Sequence, residues 1–318
     1  MQKTQGEKEM NIKKVCKTTL KMIYDSDYRF YVTSCYGLHN NMKDKEFLEK
    51  KFKSVFHRKL DLENPQTLNE KLQWLKLYDR KSEYTKYVDK FLVRDHVKEI
   101  LGEEYLIPLL GVWEKSEDID FDQLPNQFVL KCNHNSGLGM YICKDKDSMD
   151  RNKVITDLNK GLKQDYYITA REWPYKNVPR KIIAEKYIVD ESGYELKDYK
   201  FYCFNGKVKL VMINSDRMSN KSTKADYFDE NYNHLDIKWG YDNADVIPEK
   251  PEKFELMKSL AEKLSKDIPH VRIDFYQTPE GVYFGEMTFF DGSGFDPIEP
   301  IEWDYKLGSW ITLPEKTK

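Results

Sequence analysis

The stretch "VRIDFYQTPEGVYFGEMTFFDGSGF", residues 271–295, places two carboxylates inside strongly apolar and aromatic segments. The turn "QTPEG" separates the segments, so we predict a β-hairpin with Asp274 in one strand and Glu286 in the next. Arg272 and Thr288 lie two residues away from them, which puts each on the same face as its neighbouring acid. A cross-strand set of surface charges is the alternative, but unpaired charge in apolar strands is costly. We therefore predict a magnesium site, since Mg²⁺ prefers carboxylate, phosphate and water oxygens.

A second stretch, "FVLKCNHNSGLGMYI" at residues 128–142, ends an apolar run on a charged side chain, Lys131. The small, polar loop that follows contains Ser136 and Gly137 and could surround a phosphate with backbone N–H groups. Taken alone the signal is weak, because the chain has neither a Walker A pattern nor the third glycine of a dinucleotide fingerprint. An ordinary loop remains the alternative at this point.

A third stretch, "IIAEKYIV" at residues 182–189, carries Glu185 in the middle of an apolar run. Such a segment can offer its backbone groups to an adenine, while the carboxylate accepts a hydrogen bond from the adenine amino group. By itself such a pattern is more often a plain strand.

Composition limits the classes of protein to consider. The chain has 318 residues and a net charge of −2, so no global charge calls for a nucleic-acid partner. No stretch reaches the roughly 18–20 apolar residues of a membrane span, and no signal peptide opens the chain. Its five cysteines include no C-x-x-C pair, which is typical of reduced thiols in a cytoplasmic protein.

The N-terminal region is basic, with 14 Lys and Arg against 7 Asp and Glu in residues 1–60. In "NIKKVCKTTLKMIY", residues 11–24, apolar side chains recur at helical spacing and the lysines lie largely on other faces. This pattern predicts a helix that either packs on its own protein or rests on an anionic membrane surface.

Periodicity elsewhere predicts helices joined to short strands. A capping box of Thr67 and Glu70 opens one of the helices, and the dipeptide Asn205-Gly206 predicts a tight hairpin turn. The predicted class is α+β with antiparallel hairpins. The predicted helices span 46–57, 67–80, 86–101, 150–163 and 253–266.

Together these stretches resemble the ATP-grasp enzymes, and most closely the teichuronopeptide-biosynthesis (TupA-like) ATP-grasp proteins of bacterial surface-polysaccharide gene clusters. The resemblance runs from about Phe56 to Pro314. Its order of motifs is "NPQTLNEKLQWLKLYD", "VDKFLVRDHV", "FVLKCNHNSG", "REWPYKN", "IIAEKYI", "DYKFYCFNGKV", "RIDFY" and "YFGEMTFFDGSG". It implies an ATP-grasp fold, two α+β subdomains that sandwich ATP. The implied division is 1–84 (helical and basic), 85–184 (phosphate loop) and 185–318 (metal ligands).

The resemblance implies a set of ATP ligands. Two lysines match those that contact the phosphates, Lys90 and Lys131, and Ser136 and Gly137 match the mobile loop that closes over them. The hinge that holds adenine is matched by Glu185, Tyr187 and Ile188. The family's acidic ribose ligand falls on one of three residues, Asp190, Glu191 or Glu195.

It also implies a catalytic and metal set. Asp274 and Glu286 match the ligands of the magnesium ions, of which we expect two, and Arg272 matches the arginine that faces the transferred phosphate. Many ATP-grasp enzymes place a metal-binding Asn two residues after the glutamate, whereas this chain has the neutral hydroxyl of Thr288 as its third candidate ligand. Two further residues are expected near the γ-phosphate, Asp198 and Lys200.

The implied activity is a carboxylate–amine ligase that passes through an acylphosphate during cell-surface polysaccharide synthesis. The backbone N–H groups of Gly292 and Ser293 are candidates to hold the oxyanion. The expected substrates are a uronic acid and an amine, and the expected location is the cytoplasm, including the inner face of the membrane. Two alternatives stay open, a sugar or alcohol kinase on the same fold and a metal-dependent glycosyltransferase centred on Asp118 and Asp120.

Overall fold

The computed structural model describes residues 21–193, 196–215 and 223–316. The chain divides into two compact units, Met1–Pro65 with Ile168–Arg171 and Gln66–Tyr167 with Glu172–Lys318. The three-part division expected from the sequence stays a prediction. Most of the predicted helix at 11–24 lies outside the described residues. No described helix is long and apolar enough to cross a membrane.

The described elements are a mixture of helices and strands, which confirms the predicted α+β class. The helices are α1 (Ser26–Cys35), α2 (Asp44–Phe56), α3 (Leu68–Tyr78), α4 (Glu83–Val88), α5 (Val93–Ile100), α6 (Arg151–Lys163), α7 (Tyr167–Ala170), α8 (Phe254–Leu264) and α9 (Ile301–Ser309). The strands are β1 (Leu109–Trp113), β2 (Phe128–Cys132), β3 (Met140–Cys143), β4 (Ile182–Lys186), β5 (Asp198–Phe204), β6 (Lys207–Ser215), β7 (Lys224–Asp229), β8 (His234–Leu235), β9 (Lys238–Trp239), β10 (His270–Gln277), β11 (Val282–Thr288) and β12 (Ile298–Glu299).

The smaller unit is built on α1 and α2. Asp25 caps α1 by accepting a hydrogen bond from the Tyr28 N–H at 2.9 Å. Arg171 is buried in this unit, where it donates to the His39 carbonyl at 2.7 Å and lies 4.2 Å from the centre of the Phe47 ring. A buried guanidinium needs such partners to offset its lost hydration.

The larger unit contains a six-stranded antiparallel sheet in the order β11-β10-β5-β6-β7-β8. The hairpin between β5 and β6 turns at Asn205 and Gly206, whose φ angles of 48° and 77° are both positive, as a type I′ turn requires. This confirms the predicted turn. The predicted β10–β11 hairpin is also present, and it sets Asp274 directly opposite Glu286.

The second sheet of this unit has the order β1-β4-β2-β3. Along β2 the buried residues Phe128, Leu130 and Cys132 alternate with less buried ones, and they share a core with α6. Because side chains alternate across a strand, Lys131 points away from that core. The face carrying Lys131 is therefore available for binding.

The segment 86–101 was predicted as one helix, and this prediction is wrong. The chain forms α4 and α5 with a break between them, because Asp89 is extended (ψ 111°) and its carboxylate accepts the N–H of Phe91 at 2.8 Å and of Leu92 at 3.3 Å. A side-chain bond of this kind competes with the helix and restarts it. The break places Lys90 in a turn.

The predicted capping box at the start of α3 is confirmed. Thr67 accepts the Glu70 N–H at 3.2 Å, and the Glu70 carboxylate accepts the Thr67 N–H at 3.1 Å. The Asp304 carboxylate of α9 accepts the Asn69 N–H at 3.0 Å. These bonds fix α3 against the C-terminal helix of the same unit.

Candidate active site

The centre of the site is the β10–β11 hairpin, where register brings two pairs of polar residues together. Asp274 faces Glu286, and the neighbouring pair on the same face is Arg272 and Thr288. On the other side of β10, Lys200 of β5 faces Asp274. The three strands thus collect two acids and two cations, of which Lys200 is 72 or more residues away from the others in sequence.

Arg272 binds several carboxylates at once. Its guanidinium holds Asp274 with two bonds of 2.7 and 2.8 Å and donates to Glu286 at 3.0 Å. It also donates to Asp291, just after β11. The planar fork of arginine suits such bidentate pairing, and the guanidinium stays charged at any physiological pH.

Lys200 binds the same carboxylate from the other side. Its Nζ lies 2.5 Å from oxygens of both Asp198 and Asp274. Burial alone would lower the pKa of Lys200, but these two carboxylates outweigh burial and raise it. Lys200 therefore carries a positive charge throughout the physiological pH range. We call Arg272, Lys200, Asp198, Asp274, Glu286 and Asp291 the Arg272 cluster.

Glu286 is the more open carboxylate of the cluster, with a side chain that is 31% exposed. Burial would raise its pKa, yet surrounding cations overcome burial and lower the pKa to about 2. These cations are Lys90, Arg272, Lys200 and Lys131. Glu286 is thus a carboxylate anion throughout the physiological range.

Lys90 connects the glycine-rich loop to this glutamate. Its Nζ donates to the Asn135 carbonyl at 2.7 Å and lies 3.4 Å from Glu286. Lys90 makes both contacts because the break between α4 and α5 places it in a turn. The sequence resemblance placed Lys90 at the phosphates, and the structure places it between the loop and the hairpin.

Lys131 and Glu185, predicted for phosphate and adenine, are paired with each other. The Lys131 Nζ lies 2.7 Å from Glu185, whose second oxygen lies 3.3 Å from the Arg94 guanidinium. Both side chains lie on the face of the four-stranded sheet that points away from its core. Val129 is the neighbour of Lys131 on that face of β2, and it pairs with Glu185 of β4. No sequence pattern indicated that Arg94 would lie at this position.

The predicted loop residues Ser136 and Gly137 are both exposed, and Gly137 has a φ of +80°. A Cβ on Gly137 would meet no atom within 4 Å, whereas one on Gly139 would collide with Cys132 and Gly161. The loop therefore has a packed end and an open tip, and its closure over a ligand stays a prediction.

The predicted hinge follows β4. Tyr187 and Ile188 are half-buried there. Of the ribose candidates, Asp190 is buried and its oxygens accept bonds from Ser192 and from the Lys197 N–H, so it holds its own loop together. Glu191 is exposed, with Lys197 at 3.7 Å. The third candidate, Glu195, lies outside the described residues.

The loop proposed for the oxyanion is tightly held. Ser293 donates its N–H to the Phe290 carbonyl at 2.8 Å and its hydroxyl to Glu172 at 2.5 Å. Its carbonyl accepts from Lys76 at 2.6 Å and from Gln73 at 3.2 Å. Sequence reasoning missed Lys76 and Gln73. The signal available in the sequence was that both are polar residues beside the apolar positions of α3. In the structure both side chains are fully buried.

The hairpin fits magnesium by the chemistry of its donors. In the part of the chain that the structure describes, no three His, Cys, Asp or Glu residues gather as a metal cluster. Mg²⁺ does not need one, because it binds through one or two carboxylates and takes its other ligands from phosphate and water. Asp274 and Glu286 supply two such carboxylates, and the Thr288 hydroxyl lies 3.4 Å from a Glu286 oxygen.

Three comparisons with known proteins bear on this geometry. A family model described as TupA-like ATPgrasp matches residues 70–312. No curated protein matches the sequence. Solved structures similar to this chain include D-alanine–D-alanine ligase from Bacillus anthracis in complex with ATP, at 18% identity and a TM-score of 0.37, covering 64% of this chain and 54% of that one.

Two other similar structures come from different bacteria. D-alanyl-alanine synthetase A from Vibrio cholerae is 14% identical, with a TM-score of 0.41 and coverage of 71% of this chain and 61% of that one. D-Alanine–D-alanine ligase from Helicobacter pylori is 17% identical, with a TM-score of 0.41 and coverage of 77% and 69%. This chain thus spans less than two thirds of the length of the Bacillus and Vibrio proteins.

Proposed function

The chain belongs to the TupA-like ATP-grasp family. We propose that it is a ligase that forms carbon–nitrogen bonds: it activates a carboxylate as an acylphosphate and then transfers the acyl group to an amine. A free carboxylate resists attack because its charge repels nucleophiles and oxide is a poor leaving group. Phosphorylation removes both obstacles.

The observation that carries this proposal is the charge arrangement of the Arg272 cluster. With Lys90 it holds three cations and four carboxylates, which leaves one negative charge in excess. An excess of anionic oxygens favours a divalent cation, and the cations nearby favour a phosphate. Magnesium held by Asp274 and Glu286, with Thr288 as a further candidate, would neutralise charge on the phosphate oxygens.

The residues of this chain then have distinct tasks. Lys90 and Lys131 bind the phosphates by exchanging their present partners for phosphate oxygens, while Arg272 faces the phosphoryl group that is transferred. The loop at Ser136 and Gly137 closes over the nucleotide, and the segment 185–188 holds the adenine.

The oxyanion of the second step needs a backbone donor. Since the Ser293 N–H is already donated to Phe290, we assign this role to the N–H of Gly292. Ser293 then acts through the bonds that fix the loop, among them its contact with Glu172.

We further propose that the acid is a uronic acid, that the amine is an amino acid or amino sugar, and that both belong to cell-surface polysaccharide synthesis. The four described cysteines are free, which supports a reducing, cytoplasmic location. Peripheral contact with the inner membrane face through residues 11–24 is part of the proposal. Deleting residues 1–24 should lower binding to anionic vesicles and leave turnover unchanged, and equal vesicle binding would contradict the membrane contact.

Product analysis tests the ligase proposal against its rivals. We expect ADP release in the presence of ATP, Mg²⁺, a uronic acid and an amine, and we expect hydroxylamine to trap the acylphosphate as a hydroxamate. A stable phosphoester would instead identify a kinase. A glycosyltransferase would ignore ATP and lose activity in an Asp118→Ala, Asp120→Ala variant, although both aspartates are exposed and Asp120 caps a turn through the Asp122 N–H.

A further inference from the structure

A cavity of about 380 Å³ adjoins the Arg272 cluster on the side of β6, β7 and β9. Arg272 and Lys200 form one part of its lining, so it opens directly beside the proposed phosphoryl-transfer centre. Three aromatic side chains form another part, namely Tyr227, Trp239 and Tyr241. Faces of Trp and Tyr attract a ligand cation within about 6 Å, which makes such a lining suitable for an ammonium group.

Asp296 also lines this cavity, and it differs from every acid of the cluster. Within the described ranges, no cation and no hydrogen-bond donor is paired with its carboxylate. The neighbouring Asp291, in contrast, accepts from Arg272 and, at 2.5 Å, from the Tyr202 hydroxyl. Among the residues that the structure describes, Asp296 is thus a half-buried carboxylate without a counter-ion.

Two glycines shape the space around this carboxylate. A Cβ on Gly292 would collide with the Asp296 carboxylate, and a Cβ on Gly240 would lie 3.8 Å from its Oδ2. Both glycines have positive φ angles, 53° and 76°, which side-chain-bearing residues rarely adopt. Gly292 is also the proposed oxyanion donor, so Asp296 lies close to the point at which a nucleophile must attack.

The ionisation of Asp296 suits a base. Burial and the nearby charge of Asp291 raise its pKa to about 6. The other titratable or charged groups that line the cavity are Lys200, Tyr227, Tyr241, Arg272 and Asp291. Lys200 and Arg272 stay cationic, and burial raises the pKa of Tyr227 well above its ordinary value. Asp296 is therefore the group expected to titrate near neutral pH.

We propose that this cavity is the amine site, that it takes a primary amine as its ammonium ion, and that Asp296 receives the ammonium group and removes one proton from it. The neutral nitrogen then attacks the carbonyl carbon of the acylphosphate. As the new C–N bond forms and the C–O bond to phosphate breaks, the phosphate leaves with the bonding electron pair. The second nitrogen proton leaves with that phosphate, and Asp296 returns its proton to solvent.

This inference rests on the proposed ligase function, so its test separates the two. At pH 7.0 hydroxylamine is largely uncharged and needs no base, whereas glucosamine arrives mainly as an ammonium ion. With glucuronate and galacturonate as acids, Asp296→Asn should lower amide formation with glucosamine at least 100-fold more than hydroxamate formation, in the range for loss of a general base. The wild-type amide rate should also rise with pH through about 6, and the variant should lack this rise.

A binding measurement needs no turnover. We expect glucosamine, but not its neutral analogue glucose, to quench the tryptophan fluorescence of the wild type, and Trp239→Phe should remove the signal. Asp296→Asn should weaken the glucosamine affinity at least tenfold. Asp245→Asn is the matched control, since Asp245 is exposed and does not line the cavity, and it should behave as the wild type.

The outcomes are distinct. Equal amide formation and equal glucosamine binding in Asp296→Asn would overturn the inference, and so would a parallel loss of hydroxamate and amide in a folded variant. If the wild type formed no hydroxamate with either acid, the acylphosphate proposal would fail. Asp296-dependent binding of glucosamine would then still support the amine site, and its absence would remove it.

Discussion

The Arg272 cluster and the Lys131–Glu185 pair are both made of acids and bases on neighbouring strands, yet they are built differently. In the cluster, Asp274 and Arg272 have side chains that are 2% and 9% exposed, and each has several partners. At the other pair, Lys131 is 16% exposed and bridges to one carboxylate. The cluster is fixed by many bonds, whereas Lys131 is held by a single exchangeable partner.

The difference indicates how charge can be prepared for a ligand. Breaking a buried pair leaves an uncompensated charge and is strongly unfavourable, so the cluster keeps its geometry with or without ligand. Lys131 can exchange Glu185 for a phosphate at a smaller cost, because the phosphate replaces the lost anion and Glu185 keeps its contact with Arg94. The hairpin therefore has a fixed geometry, and under the proposed function the four-stranded sheet is the part that exchanges partners when phosphate binds.

The largest expected effect is that of Asp274→Asn. Removing this charge leaves Arg272 and Lys200 under-neutralised, so the free energy of unfolding should fall by about 3–5 kcal/mol. ADP release should fall by about 10³-fold or more, as expected when the charges around a transferred phosphate are disturbed. Urea unfolding and ADP release measure the two effects, with the exposed Asp245→Asn as control. Turnover close to wild type would contradict the assignment of Asp274.

Glu286→Gln should affect activity far more than stability. We expect a loss of about 10²–10³-fold in ADP release. In the folded protein the pKa of Glu286 is lowered from its ordinary value of 4.5 to about 2. The ionised form therefore stabilises the fold at pH values above 4.5, and this contribution is lost as the pH falls through about 2. At pH 7 the free energy of unfolding of the variant should thus be roughly 1–2 kcal/mol lower than that of the wild type, after a discount for solvent screening. Near pH 2 the two proteins should be equally stable.

The control for this acid is Glu280→Gln in the turn of the same hairpin, where Glu280 is exposed and 3.0 Å from Lys186. It should change neither turnover nor the acid unfolding profile measurably. A pH-independent stability difference for Glu286→Gln would argue against the cationic surroundings of this carboxylate.

Lys131→Met should weaken ATP binding and leave the fold intact. Its loss removes one charge-assisted bond, worth about 1.5–3 kcal/mol, or roughly 10–100-fold in the Kd for ATP. Glu185 keeps Arg94 at 3.3 Å, so stability should change little. Equilibrium binding of ATP measures the effect, with exposed Lys144→Met as control. An unchanged Kd would show that Lys131 does not exchange its partner for phosphate.

The smallest effect is expected for Gly137→Ala. Its Cβ would stand in open space, so only the positive φ is penalised, by about 1–2 kcal/mol. The KM for ATP should rise severalfold, and the free energy of unfolding should fall by no more than this penalty. Gly139→Ala should lower the stability further, because its Cβ would lie 2.6 Å from the Cys132 sulfur and 2.8 Å from the Gly161 Cα. Equal behaviour of the two variants would contradict the division of the loop into open tip and packed end.

Local patterns predicted much of this molecule. The capping box at Thr67, the turn at Asn205-Gly206 and the β10–β11 hairpin all depend on residues a few positions apart. The hairpin alone places Asp274 and Glu286 on neighbouring strands, and a register shift between Asp274 and Phe275 then sets them directly opposite each other. These features could be predicted because their energetics are local.

Other features could not be predicted in this way. The helix expected over 86–101 breaks because Asp89 bonds to the backbone after it and to the Asn133 side chain at 2.8 Å, 44 residues away. Lys76 and Gln73 of α3 reach the loop at Ser293, more than 200 residues later. Asp296 lines the cavity proposed for the amine because the loop after β11 packs beside β9.

The sequence by itself determined the strands, the turns and the acids and bases that lie on each strand face, because side-chain alternation and turn geometry act over a few residues. Only the tertiary structure decided which of these charges are neutralised. Arg272 and Lys200 share Asp274, Lys131 has Glu185, and Asp296 has no counter-ion in the described part of the chain. The physical reason is that charge interactions depend on distance and burial, and both are set by strands and helices that meet only in the folded chain.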